Sequence, residues 1–466
     1  MSENEIVKKI SSFDKWEYLL FSGVVVYFIV FLYQGIARHH SYQSYMDLAL
    51  FDQCFWTTIH GSFFYTTVEA NMGISNFGVH NPLILLTIIP FYSLFPSAEL
   101  LIGIQCLVVA LAAIPLFYIG KEYLGRNGAL VICTAYFLYA PLHGMTLMDF
   151  HEFAFAPLIL FTCFYFFLKK EIFGFVISSC FALMIREEIV FIIILMAIYG
   201  LIKNNFYTSE RDRLILALTV LLAAFWFMIS VVVIIPYFNP VHRYFPIAGH
   251  WGGNSVTDLI TVDPLLKSAF LFELFSPLGF LSFFSPGILL TAAPAFVGIL
   301  YSKYMVYSIV FWHQALLIPA IFISCILGVK KFITKNGYIG RWTENRIYGY
   351  ILVCSIVSFL VFTPSPLSPL SIYHEDYTIT QHHKILDDAI SLIPPDASVA
   401  TQNDIGSHLA HRFELYLDYR PGVEYILIDR RTLPLWHSTE PNLLKYLDKY
   451  TRIYSKDSVE LYKIRK

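Results

Sequence analysis

Residues 172–202 read IFGFVISSCFALMIREEIVFIIILMAIYGLI, two apolar runs joined by the triplet Arg186-Glu187-Glu188. A membrane-crossing helix needs about 20 mostly apolar residues, so each run is a short crossing and the charged triplet is the turn between them. Glu187 and Glu188 neutralise Arg186 in place, leaving little net charge to bury. Two readings of Arg186 stay open: a contact for an anionic substrate such as a phosphate, or an internally paired turn.

Composition extends this reading to the whole chain. Of 466 residues, 57% are hydrophobic, 17% aromatic and only 14% charged, and the mean hydropathy is +0.60. Soluble domains carry about 25% charged residues, so a fully soluble enzyme is excluded, as is disorder. A net charge of −2 argues against nucleic acid as a partner. The fold class that remains is an α-helical polytopic membrane protein bathed in membrane lipids. The seven cysteines form no CxxC pair and read as small buried hydrophobes.

About eleven candidate spans follow, near 16–33, 98–120, 128–142, 153–168, 172–185, 189–202, 214–236, 268–285, 286–300, 313–329 and 347–363. The first is retained, because no small-residue cleavage site follows it. The proline-bracketed segment 82–96 reads as interfacial or re-entrant. With the N-terminus inside, inner loops hold 15 Lys and Arg and the outer side 5, as the positive-inside rule requires. The cell-membrane orientation expected is therefore a cytoplasmic N-terminus and an extracytoplasmic C-terminus. Charge density jumps from 40 residues in the first 370 to 26 in the last 96, dividing the chain into a transmembrane domain, 1–370, and a small soluble α/β domain, 371–466. The proline-rich run 363–369 between them reads as a stiff linker. Within the tail, a helix is expected over 379–393 and near 440–449, with strands near 398–401, 413–417, 424–428 and 459–463.

Under this topology all nine histidines of residues 1–370 fall outside, together with nine acids, and ionisable groups at span ends usually line a cavity. The long first outer loop, 34–81, carries Asp47 and Asp52. Five residues of helix turn these acids about 140° apart, so they are not a close carboxylate pair. Asp149-Phe150-His151-Glu152 offers groups for a divalent cation or a proton relay, or for a hydrogen-bonded loop. The loop 237–267 adds Arg243, His250, Trp251 and a Gly-Gly pair, suited to sugar stacking or to interface anchoring.

Several of these segments together carry a resemblance: Asp47-Leu48 with Phe51-Asp52-Gln53, Trp56 through Gly61, His80-Asn81-Pro82-Leu83, Gln105, Asp149-Phe150-His151, Arg186-Glu187-Glu188 and 276–281, then Ile393-Pro394 and 408–412 in the tail. In this order they resemble the domain of unknown function 2079 family of polytopic membrane proteins, itself distantly similar to GT-C glycosyltransferases. The resemblance implies a GT-C-like architecture with an acid in the first outer loop, an outer cavity, an outer C-terminal domain and a sugar donor carried on polyprenyl phosphate. Asp47 matches the position of that acid, although Leu48 follows it where a second acid usually stands.

The function expected is a glycosyltransferase-like protein acting on a polyprenyl-phosphate-linked sugar at the outer face. Asp47 is the expected general base. The expected substrate-binding groups are His80, Asp149, His151, Glu152, Arg186 and Arg243, the two arginines meeting the phosphate. Asp47, His151 and Glu152 are also the candidates for holding a divalent cation. The alternatives are a transporter or flippase of a lipid-linked or small polar substrate and a non-catalytic assembly protein.

Overall fold

The computed structural model describes residues 14–68, 73–203, 206–239, 257–302, 306–335, 343–433 and 440–465. Uninterrupted apolar runs set the helices. Helix α1 (Lys15–His40) starts where Asp14 accepts from Trp16 N and Glu17 N while the Glu17 side chain reaches back to Asp14 N, a reciprocal cap. After α2 (Met46–Ile59) come α3 (Ala98–Leu111), capped by Ser97, and α4 (Ala113–Phe137). Gly125 interrupts α4 at φ +71°, a conformation without cost only for glycine. The chain reverses there and Gly120 comes to lie against Ala129. The series continues with α5 (Ala140–Leu147), α6 (Phe155–Lys169), α7 (Ile172–Leu183), α8 (Val190–Ile202), α9 (Glu210–Ile229), α10 (Pro264–Phe275), α11 (Ala293–Tyr301), α12 (Ile318–Lys335) and α13 (Glu344–Phe362).

Among the described residues, five helical stretches are long and apolar enough to cross a membrane: Lys15–His40, Ala98–Phe137, which folds back at Gly125, Glu152–Lys169, Glu210–Phe238 and Glu344–Phe362. The remaining expected spans are shorter or broken, except α12, which is 18 residues long but carries Lys330, Lys331 and Lys335. In place of two spans over 268–300, the chain breaks after α10 at Gly279 and Phe280, both left-handed, and passes through three short turns to α11. The segment 82–96 forms only the short helices Leu83–Thr87 and Ile89–Leu94. Broken backbone at membrane depth needs internal partners, and buried glutamines supply them. Gln314 donates to the carbonyls of Pro141 (2.8 Å) and Ile309 (2.9 Å), and Gln105 donates to that of Met148 (2.9 Å).

The tail opens with α14 (Gln381–Ser391) and builds a five-stranded mixed sheet in the order β4-β3-β5-β7-β6. These strands are β3 (Val399–Ala400), β4 (Leu415–Tyr416), β5 (Tyr425–Asp429), β6 (Tyr450–Lys456) and β7 (Val459–Ile464), β1 and β2 being the two-residue pair Tyr65–Thr66 and Ile74–Ser75. β3 pairs in parallel with β4 and β5, and β7 antiparallel with β5 and β6. β6 was not expected, because its side chains are mostly exposed and give no apolar alternation.

The run 363–369 is not an extended spacer. Ser365 Oγ donates to Gln34 of α1 (2.7 Å), Ser368 Oγ donates to Leu360 O (2.6 Å), and Ile372 N returns to Val361 O (2.9 Å). The serine hydroxyls bind the segment to the helix ends in turns. Beyond it the tail sits on the first loop. Tyr42 OH donates to Asp387 (2.6 Å), Gln53 donates to Arg412 O (3.0 Å), and Thr67 Oγ1 both donates to Leu415 O and accepts from Leu415 N (2.9 Å).

Candidate functional site

Asp47 stands in the first turn of α2, where the positive end of the helix favours a carboxylate. Asp149 fixes that turn. Its Oδ2 accepts from Tyr45 N (2.7 Å) and Leu48 N (3.0 Å), and its Oδ1 meets Arg38 Nη1 at 3.0 Å, with both side chains almost fully buried. Asp149 is thus an anchor for the helix that carries Asp47; its oxygens face the protein rather than a cavity. This differs from the substrate contact expected of it, because the fold brings Asp149 against Tyr45 and Leu48, about a hundred residues earlier in the chain, whose N–H groups at the start of α2 a carboxylate satisfies best.

From Asp47 a continuous line of contacts runs across the site. Trp312 Nε1 donates to Asp47 Oδ2 (3.0 Å). The Trp312 ring stacks on His151 at 3.6 Å between centroids and on His313 at 3.8 Å. His151 N is held by Gln105 Oε1 (3.0 Å). Next along the chain, Glu152 Oε1 lies 3.4 Å from Arg186 Nη1, and the guanidinium lies over Phe153 at 4.9 Å. Arg186 Nη2 donates to His80 Nε2 and His80 Nδ1 donates to Glu187 Oε1 (2.7 Å). Glu187 Oε2 accepts from Asn81 N (3.0 Å), and Asn81 Nδ2 donates to Ser230 Oγ (2.8 Å). Ser230 opens the one-turn π segment Ser230–Ile234 that follows α9.

The structure therefore brings Asp47, His80, His151, Glu152 and Arg186 into one network, and leaves Asp149 behind it as support. Arg243 lies outside the described residues. Three carboxylates share Arg186: Glu152, Glu188 (3.7 Å) and Glu187 (4.0 Å). Burial by itself would raise the Glu187 carboxyl, but His80, Arg186 and the Asn81 N–H hold it down at about 2. Among the described residues, Arg186 Nε, Glu152 Oε2 and Asn81 Oδ1 are buried polar atoms without a hydrogen-bond partner. Glu152 Oε2 lies 3.1 Å from His151 Nδ1, which accepts instead from Phe153 N. An unpaired buried donor and two unpaired acceptors suit a ligand bearing both anionic and hydroxyl groups.

The candidates for a divalent cation do not fit one. Among the described residues no three His, Cys, Asp or Glu side chains gather as a metal site requires. Asp47 is engaged by Trp312, and the His151 ring is stacked under it. Asp52 points away, as its rotation on α2 dictates. It accepts from Tyr92 OH and lies 3.2 Å from His411 Nε2, beside a cavity of about 230 Å³ that Arg412, His40 and Glu99 also line. Trp312 and Ser230 were not expected in the network, and Gln105 stood only among the residues that carry the resemblance. For Trp312 the signal was the triplet Trp312-His313-Gln314 at the mouth of an apolar segment.

The family described as "Predicted membrane protein (DUF2079)" matches residues 38–458. The chain belongs to the DUF2079 family. The DUF2079 chain also shares its fold with ArnT from Cupriavidus metallidurans, a GT-C glycosyltransferase. The structure of ArnT bound to undecaprenyl phosphate aligns at TM-score 0.57 and 10% identity, covering 96% of this chain and 97% of ArnT. The apo structure of the same protein aligns at TM-score 0.58 and 11% identity, with the same coverage. No functionally curated protein matches the DUF2079 sequence. At such identity the likeness establishes the architecture, an ArnT-like whole chain of helices closed by a small mixed sheet.

Proposed function

We propose that this DUF2079 protein is a membrane glycosyltransferase that moves a sugar from a polyprenyl-phosphate carrier to a hydroxyl acceptor at the extracytoplasmic face. The observation that carries the proposal is the line from Asp47 through Trp312 and His151 to Glu152 and Arg186, inside a fold whose counterpart binds undecaprenyl phosphate. Asp47 takes the proton of the attacking hydroxyl. The acceptor oxygen bonds to the anomeric carbon as the bond from that carbon to the phosphate oxygen breaks, and the electron pair leaves on the phosphate. Arg186, through an Nε with no hydrogen-bond partner, faces the charge that develops there. His80 keeps the guanidinium in place, and Glu152 and Asn81 accept from sugar hydroxyls. No step runs through a metal.

The topology belongs to the same proposal: a cytoplasmic N-terminus, eleven crossings with the short and broken helices included, and the tail, 371–466, outside as a unit resting on the first loop. A reporter at the C-terminus that is active only in the cytoplasm contradicts it. The test of activity is transfer by the purified protein from labelled polyprenyl-phosphate sugars. Movement of intact donor across a liposome membrane without transfer points instead to a flippase.

A further inference from the structure

A groove of about 520 Å³ lies between the last two turns of α8 and the segment 287–291, walled by Leu195, Ile198, Tyr199, Ile202 and Leu290. Its size falls within the ~300–1,000 Å³ of small-molecule sites. Helix α8 leaves the Arg186-Glu187-Glu188 turn at Val190 and ends at Ile202, a rise of about 20 Å. The groove is therefore at the membrane face opposite the candidate site. It is open where it meets the bilayer, and Ile202 and Leu290 on its rim are well exposed. Gly287 permits its shape, since a Cβ there would meet the Tyr199 ring at 2.8 Å.

A cation closes one end. Lys203 Nζ donates to Tyr199 OH (2.7 Å), leaving the phenol proton for another acceptor, and lies 5.1 Å from the Phe206 ring. Lys170 approaches the same ring from elsewhere, at 5.5 Å. Among the described residues neither lysine has a carboxylate within ion-pair distance. An apolar trough that opens sideways into lipid and ends at an interfacial ammonium group matches one occupant: a chain that lies in hydrocarbon and a phosphate that lies at the membrane surface.

We infer that this groove binds an anionic glycerophospholipid of the leaflet opposite the candidate site, with an acyl chain along α8 and the phosphate on Lys203 and Tyr199 OH. The site is separate from that of the sugar carrier and stands independently of the proposed activity.

The experiment is native mass spectrometry of the delipidated full-length protein with phosphatidylglycerol or phosphatidylcholine of the same chains, compared with Lys203→Gln and Leu290→Trp. The wild type is expected to retain phosphatidylglycerol preferentially. Lys203→Gln should weaken that retention about fivefold, the loss of one lysine at an anionic surface, and weaken phosphatidylcholine less, because its choline already offsets the phosphate charge. Leu290→Trp, which fills the trough, should weaken both. Equal retention of the two lipids by the wild type overturns the inference. So does an unchanged preference in Lys203→Gln, or retention of a polyprenyl phosphate but not of phosphatidylglycerol. The thermal midpoint of each variant without added lipid shows that it is folded.

Discussion

Replacing Asp149 by alanine should damage the protein through its stability, and the size of the effect follows from what the carboxylate holds. It pairs with Arg38 at 3.0 Å where the two side chains are 0% and 4% exposed. Removing one partner of a buried ion pair costs about 3–5 kcal/mol, because the other charge is left unpaired. Arg38 keeps a longer contact to Glu375, 3.5 Å, which places the loss toward the lower end. The N–H groups of Tyr45 and Leu48 also lose their acceptor, so about 4 kcal/mol is the expected total. With about 2.1 cal/mol/K of unfolding entropy per residue over 466 residues, that lowers the thermal midpoint by about 4 °C. The assay is thermal unfolding in detergent, followed by intrinsic fluorescence. Asp149→Asn should fall between wild type and alanine. Arg38→Met combined with Asp149→Leu should recover much of the loss, because no lone charge remains. An Asp149→Ala protein with an unchanged midpoint refutes the anchoring role, and if it has also lost transfer, Asp149 touches substrate after all.

Other outcomes are expected along the same network. Trp312→Phe keeps the stack on His151 but removes the donor to Asp47; losing a hydrogen bond to a charged group, ~1.5–3 kcal/mol, should slow transfer by about tenfold or more, checked by single-turnover kinetics. The Glu187 carboxyl is depressed to about 2, below its value in the unfolded chain. The stability it contributes is therefore present at neutral pH and lost as pH falls from about 4.5 toward 2; midpoints measured across that range should drop less steeply in Glu187→Gln. At the seam with the tail, burial lowers the His411 imidazole but Asp52 outweighs it and raises it above its ordinary value. The contact is then fully present in acid and lost as pH rises through the raised value. Hydrogen exchange over residues 407–417 should quicken across that window in the wild type and not in His411→Gln.

Much of the helical architecture was legible because lipid imposes a simple rule: apolar runs become helices, and charges gather at their ends. The turn at Arg186 followed from that rule, while the bracketing prolines set the apolar segment 82–96 apart from it. Asp47 and Asp52 were rightly separated by rotation alone, and they face Trp312 and His411 respectively. Sequence periodicity does not reveal where a helix breaks when left-handed Gly279 and Phe280 stop it, nor which long-range partner a carboxylate finds. Asp149 and Glu152 stand three residues apart with similar surroundings in sequence. One caps α2 and the other meets Arg186, because the backbone turns at 148–151, a bend held by Gln105. Trp312 was hidden for a related reason: an aromatic residue at a span entrance serves equally well as an interface anchor.

The central claim is that Asp47 is the base of a sugar transfer. The direct measurement compares wild type with Asp47→Asn for both binding and turnover of a labelled polyprenyl-phosphate sugar, in protein of matched thermal midpoint. The exchange is nearly isosteric and leaves an amide oxygen to accept from Trp312, so fold and donor affinity should stay close to wild type while transfer is lost. Transfer by Asp47→Asn at the wild-type rate contradicts the claim.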